Sequence, residues 1–226
     1  MIIKIGHRGA MGYEPENTLI SFKKALELGV DMIELDVHLC QTGELVVIHD
    51  KKVNHTTNGQ GQVIKKGLAE LRLLDAGKGE KIPLLQEVFD LVKQRTKINI
   101  ELKAKYTAKP VAQLIKKYVT EKGWTYNDFL VSSFFRPELK KLYHLNPEIK
   151  IGVLVEKFPF GFFKLAEKVK AVSIHFHKKL ARPYLIKKTQ QKGLKVFIYT
   201  LDNPEKIKKM KSLGIDGIFS NYPDRL

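Results

Sequence analysis

The sequence predicts a (β/α)8 barrel on three observations. Nine apolar, β-rich runs recur along the chain, and eight of them are separated by helical or helix-length connections. Several runs end in polar or charged side chains, as strands do when their carboxyl ends carry a ligand site. The 226 residues also match the size of one such barrel, and nothing forces a split, so residues 1–226 are expected to form one domain. A doubly wound open sheet is the competing architecture. The number of similar units and the lack of a G-x-G-x-x-G fingerprint disfavour it.

Taken in order, the first run, Ile2 to Ile5, stops at Gly6-His7-Arg8-Gly9, where glycines permit close approach of a ligand to the backbone. Asn17 in Pro15-Glu16-Asn17-Thr18 reads as the N-cap of a helix through Leu19, Phe22, Ala25 and Leu26, closed by Gly29. The run Met32 to Leu39 follows at once, which makes a parallel βαβ unit. Gln41-Thr42-Gly43 then turns the chain into Glu44 to Ile48. With only a turn before it, this run reads as the return arm of a hairpin at the barrel mouth. A turn centred on Thr42-Gly43 would set Asp36 opposite His49.

From Lys51 to Pro83 the pattern weakens into an insertion with one short helix near Leu68 to Leu73. Regular alternation resumes with a helix from about Leu85 to Gln94, a strand Ile98 to Leu102 and a helix of about Pro110 to Lys122. Strands Phe129 to Phe134, Ile149 to Val155, Ala171 to Phe176 and Lys195 to Leu201 follow, each with its helix, and Asp216 to Asn221 closes the series.

Composition limits the class. A hydrophobic share of 43% fits a soluble globular protein. The lone Cys40 rules out an internal disulfide or a multi-cysteine zinc site and fits a reducing, cytoplasmic setting, with a small filler role for Cys40 itself. The start MIIKIGHRG reads as neither signal peptide nor anchor. Forty basic against 24 acidic side chains give a formal charge of +16, which attracts anions of any kind. The lysine pairs fall in helix-like segments without interleaved aromatics, so a solvated outer surface is favoured over specific nucleic-acid binding.

The polar strand ends carry the chemistry. Glu34 and Asp36 lie two apart in a strand and so share a face; they form either a metal site or the wet side of an ordinary hairpin. Glu101 and Lys103 end a later strand, His7 and Arg8 the first, and His49 joins from the hairpin. Three carboxylates suit a hard cation, Ca²⁺ or Mg²⁺. Arg8 and Lys103 beside it suit a phosphate, and two histidines remain to move protons. Together these groups describe metal-assisted cleavage of a phosphate ester.

Gly6-His7-Arg8-Gly9, Pro15-Glu16-Asn17-Thr18, Glu34-Leu35-Asp36-Val37, Val47-Ile48-His49-Asp50, Glu101-Leu102-Lys103 and Asp216-Gly217-Ile218 with Pro223-Asp224 resemble, in the same order, the motifs of the glycerophosphodiester phosphodiesterase family. The resemblance implies a (β/α)8 barrel with a small insertion, about 51–83, after the second barrel strand. It implies His7 and His49 as the acid/base pair, Glu34, Asp36 and Glu101 as ligands of one divalent cation, and Arg8 and Lys103 as phosphate contacts. It also implies a soluble glycerophosphodiester substrate cleaved to glycerol 3-phosphate and an alcohol, by attack of the glycerol 2-hydroxyl and opening of a cyclic phosphate by water. Tyr199 replaces a tryptophan common in the family and still offers an aromatic wall. Asn221, where aspartate is common, is expected to affect local hydrogen bonding, and Glu16 is expected to support the site from behind. His175 reads as a structural histidine rather than a pocket residue. His38, His55, His144 and His177 have no nameable partner. The alternatives are a lysophospholipase D, aided by peripheral contact with anionic membranes, and a non-catalytic anion-binding barrel; no protein partner is expected.

Overall fold

The computed structural model describes residues 2–157 and 161–226. The strands are β1 (Ile3–Gly6), β2 (Met32–Leu39), β3 (Leu45–Val47), β4 (Lys97–Leu102), β5 (Phe129–Ser133), β6 (Lys150–Val155), β7 (Ser173–His177), β8 (Lys195–Tyr199) and β9 (Gly217–Ser220). All but β3 pair in parallel, and β1 pairs with both β9 and β2, which closes the barrel. Between strands run α1 (Leu19–Glu27), α2 (Leu68–Leu73), α3 (Leu85–Val92), α4 (Ala108–Glu121), α5 (Arg136–Leu145), α6 (Phe162–Lys168), α7 (Pro183–Gln190) and α8 (Pro204–Ser212).

The strands are covered on both faces, which is why they read as nearly continuous apolar runs. Outward residues such as Ile33, Leu35, Ile98, Ile100 and Val196 pack with Phe22, Val88, Phe89 and Ile186 of the helices in one large core. Inside the barrel a second cluster, Ile5, Met32, Leu130, Phe197 and Phe219, is apolar. Further along the same inward faces, Glu34, Asp36, Glu101 and His175 take over, so the interior turns from apolar to polar toward the strands' carboxyl ends.

Two local expectations are corrected. Thr18, not Asn17, caps α1, its hydroxyl accepting from the Ser21 amide; Asn17 sits at φ 57°, a left-handed conformation in which asparagine is favoured among non-glycine residues. In the β2–β3 hairpin Leu39 pairs with Leu45, so Asp36 faces Ile48 and not His49. The cause is a five-residue connection, Cys40 to Glu44, centred on Thr42, which shifts the register by one. His49 therefore lies just beyond β3, in the chain that leads into the insertion.

That insertion has its own small core. Cys40, Val46 and Ile48 from the hairpin pack with Val53, Val63, Leu71, Ala76 and Ile82. Arg72 ties α2 to α3 through two bonds to Glu87, of 2.7 and 2.9 Å. The segment that begins at Lys51 is thereby held beside the barrel mouth.

Candidate active site

Neighbouring strands bring the acidic residues together. In the β2–β4 register Asp36 stands beside Glu101 and Glu34 beside Asn99. Glu34 and Asp36 are buried and Glu101 nearly so, with oxygens of all three within 4.8 Å of one another. Burial and the neighbouring carboxylates raise Glu34 well above the usual range, and the same causes, burial first and then Asp36, push Glu101 up to about 7. Burial also opposes ionisation of Asp36, but Lys103 and Arg8 outweigh it and hold that carboxyl low. A set of oxygen donors at this spacing, two of them reluctant to ionise without a cation nearby, fits a hard divalent ion.

The cations are fixed against this triad. Lys103 Nζ lies 2.7 Å from Glu101 Oε1 and 3.6 Å from Asp36 Oδ1. Arg8 donates from its backbone amide to Glu34 Oε2 at 2.9 Å and from Nη1 to Glu16 Oε1 at 2.8 Å. Its Nε is buried 3.3 Å from Asp36 Oδ2, an ion-pair contact without an aligned hydrogen bond among the described residues. Arg8 itself has φ 50°, and the next residue, Gly9, has φ 86° and packs so closely on α1 that a Cβ there would meet Ser21 Oγ at 2.4 Å. The glycine is what lets Arg8 turn over the carboxylates.

Each catalytic-candidate histidine has an anchored Nδ1. His7 Nδ1 lies 2.7 Å from Asn221 Oδ1, and Asn221 donates from Nδ2 and from its backbone amide to Asp202, both at 2.8 Å. The amide is therefore oriented to accept, so His7 carries its proton on Nδ1 and keeps Nε2 as a base. Desolvation, followed by the Arg8 charge, lowers the His7 pKa to about 4. His49 Nδ1 instead meets a carboxylate, Asp50 Oδ1, at 2.7 Å, while His55 holds the other oxygen at 2.8 Å.

Some of these partners carry no clear signal in the sequence. Asn17 clamps Asp36, donating to Oδ2 at 2.9 Å and accepting from its backbone amide at 3.3 Å. Asp50 adjoins His49 in its motif, a proximity that could have marked it; Asp202 and the left-handed conformation of Asn17 have no such local signal. His38, assigned no partner from sequence, meets the His49 carbonyl with Nε2 at 3.0 Å. Tyr199 sits half-buried between Phe134 and His177, ring centroids 6.3 and 5.6 Å away, with a buried hydroxyl that has no partner among the described residues.

His175 lies deeper, fully buried, with Nε2 2.9 Å from Ser173 Oγ and its ring 5.0 Å from that of Phe197. Burial lowers its pKa from 6.5 to about 3. The unfolded chain accepts a proton near pH 6.5 that the folded protein refuses until about pH 3, so stability is full above the upper value and falls as pH drops between them. His175→Phe is expected to remove about 2 kcal/mol of the stability lost between about pH 7 and about pH 5, read as the difference in denaturant midpoints at the two pH values. An unchanged pH dependence would reject this assignment.

At the mouth of this barrel three carboxylates that could hold a metal ion, the cations Arg8 and Lys103, and two histidines with anchored Nδ1 atoms meet, a set of groups suited to chemistry on phosphate esters. Comparison with known proteins narrows the class. The glycerophosphoryl diester phosphodiesterase family model matches residues 7–225, and the chain belongs to that family. It is 37% identical over 235 residues to a glycerophosphodiester phosphodiesterase of Caldanaerobacter subterraneus subsp. tengcongensis, covering 98% of this chain and 95% of that protein. A phosphodiesterase of Oleispira antarctica, solved in complex with the product sn-glycerol-3-phosphate, superposes with a TM-score of 0.89 at 31% identity, covering 98% of this chain and 93% of that one. Lysophospholipase D of Homo sapiens is 26% identical over 264 residues, 98% of this chain and 84% of that protein.

Proposed function

We propose that this protein hydrolyses glycerophosphodiesters to glycerol 3-phosphate and an alcohol, with His7 as base and His49 as acid. The observation that carries the reading is the contrast between the two imidazole anchors. A neutral amide supports His7, which burial and Arg8 keep unprotonated; at His49 a carboxylate, Asp50, occupies the same place on Nδ1. Nε2 of His7 takes the proton of the glycerol 2-hydroxyl as that oxygen bonds to phosphorus. The bond from phosphorus to the departing alcohol breaks, and Nε2 of His49 gives that oxygen its proton. Water then opens the cyclic phosphate with the two histidines in exchanged roles.

Glu34, Asp36 and Glu101 would hold one Ca²⁺ or Mg²⁺, which when bound supplies Lewis-acid stabilisation of the phosphoryl charge. Arg8 and Lys103 bind the non-bridging oxygens, Glu16 holds Arg8 in place, and Tyr199 walls the substrate. The partner is a small glycerophosphodiester. Among the described residues no helix is long and apolar enough to cross a membrane. Release of glycerol 3-phosphate from a panel of glycerophosphodiesters, lost with chelator and restored by either cation, tests the reading; no release with either cation would reject it. A second reading, action on lysophospholipids, rests on the similarity to the human lysophospholipase D. Turnover of lysolipids above that of the soluble diesters would favour it.

The His7 anchor gives a pH prediction. With wild-type protein the acid limb of kcat/KM is expected near pH 4, where His7 becomes protonated. Asn221→Asp places a carboxylate on Nδ1, favours the imidazolium and raises that pKa, so the acid limb should move upward toward neutral pH. A limb that stays put in the variant would show that His7 is not the base.

A further inference from the structure

The insertion and the loop after β4 enclose a groove of about 430 Å³ that opens beside the site, with Lys103 and His38 in its inner wall. Its outer wall carries Lys51, Lys52 and Lys105, all exposed, and no carboxylate lines it. None of these three lysines makes an ion pair among the described residues. Next to it, across Lys51 and Lys52, a second cavity of about 580 Å³ contains one carboxylate, Asp50, with both oxygens already taken by His49 and His55. Ile64, 56% exposed, and Tyr106, 70% exposed, give the groove apolar walls. Tyr106 is held there at φ 70° by the Glu138 carboxylate, which accepts from its backbone amide at 3.0 Å.

The groove lies on the side of His49, since Lys51 and Lys52 follow that residue by two and three positions and His38 bridges the groove wall to the His49 carbonyl. If His49 protonates the departing oxygen, the departing alcohol occupies the groove. A choline or ethanolamine head group would there meet three ammonium groups and no free carboxylate, with Tyr106 and Phe135 as the aromatic groups of the lining to offset that repulsion. An alcohol bearing a second phosphate would find complementary charge. We propose that the preferred substrates are glycerophosphodiesters whose leaving alcohol is itself anionic, selected by Lys51, Lys52 and Lys105. The proposal rests on the glycerophosphodiesterase reading and specifies the substrate class of the same site.

The test compares bis(glycerophospho)glycerol, whose leaving group carries a phosphodiester charge, with glycerophosphocholine. At low salt kcat/KM is expected to favour the anionic substrate by about tenfold or more, and the ratio should fall with added salt. In the folded variant K51Q/K52Q/K105Q the ratio should approach one. A wild-type ratio near one, or a ratio unmoved in the triple variant, overturns the proposal. The same two compounds are also titrated calorimetrically into His7→Ala protein. Anionic preference in binding that disappears with the three lysines supports the groove even if wild-type turnover fails and the enzymatic reading falls. No preference in either measurement overturns the groove while turnover of both compounds would leave the enzymatic reading standing.

Discussion

Alanine at His7 or at His49 is expected to lower kcat for glycerol 3-phosphate release by about 10²- to 10⁴-fold, with the fold retained. Both side chains stand at strand ends outside the two barrel cores, so their removal opens no cavity in packed apolar structure. Their effects should not add. The two residues serve one proton relay, in which a transition state deprived of its base gains little from its acid, so the double variant should fall only slightly below the worse single one. Circular dichroism and thermal melting establish that the variants are folded. Robust turnover by the double variant would eliminate the acid/base mechanism.

The second large effect concerns the acidic triad. Glu34→Gln, Asp36→Asn or Glu101→Gln should each abolish cation-dependent activity, but their effects on stability should diverge. Without a divalent ion, the three carboxylates share one pocket and two of them resist ionisation, so E34Q or E101Q should leave the metal-free protein as stable as wild type or more so. Asp36 differs, since Arg8, Lys103 and Asn17 all converge on it, and D36N should destabilise by removing a buried charge from both cations, which keep only Glu16 and Glu101 among the described residues. Adding Ca²⁺ or Mg²⁺ to wild type at about 100 times its dissociation constant should stabilise by about 2.7 kcal/mol, an increment the variants lose. Equal cation-induced shifts in melting temperature for wild type and the triple carboxamide variant would remove the triad as the ion's site.

Much of this site was legible in the sequence because barrels concentrate chemistry at strand ends. His7, Glu34, Asp36, Glu101 and Lys103 interrupt or end apolar runs, and period-two alternation puts the acidic pair on one face without further information. What the sequence hid depended on backbone angles and on long separations. Asn17 looks like a helix cap because asparagine favours that role; its left-handed conformation, which turns the amide onto Asp36, is imposed by tertiary contacts. The Asp202–Asn221–His7 chain joins residues up to 214 apart, and no local pattern marks it. The hairpin register differs from the expected one by one residue because Gly43, at φ 98°, suits more than one turn length.

The pairing of β2 with β4 has a consequence for how the molecule assembles. Asp36 and Glu101 are level only in the observed register, and sliding one strand by a single position would turn one carboxylate away from the other. The ability to capture a divalent ion is thus a readout of correct strand alignment. During refolding, helix signal should return before cation uptake, and the interval between them would time the moment at which the barrel locks.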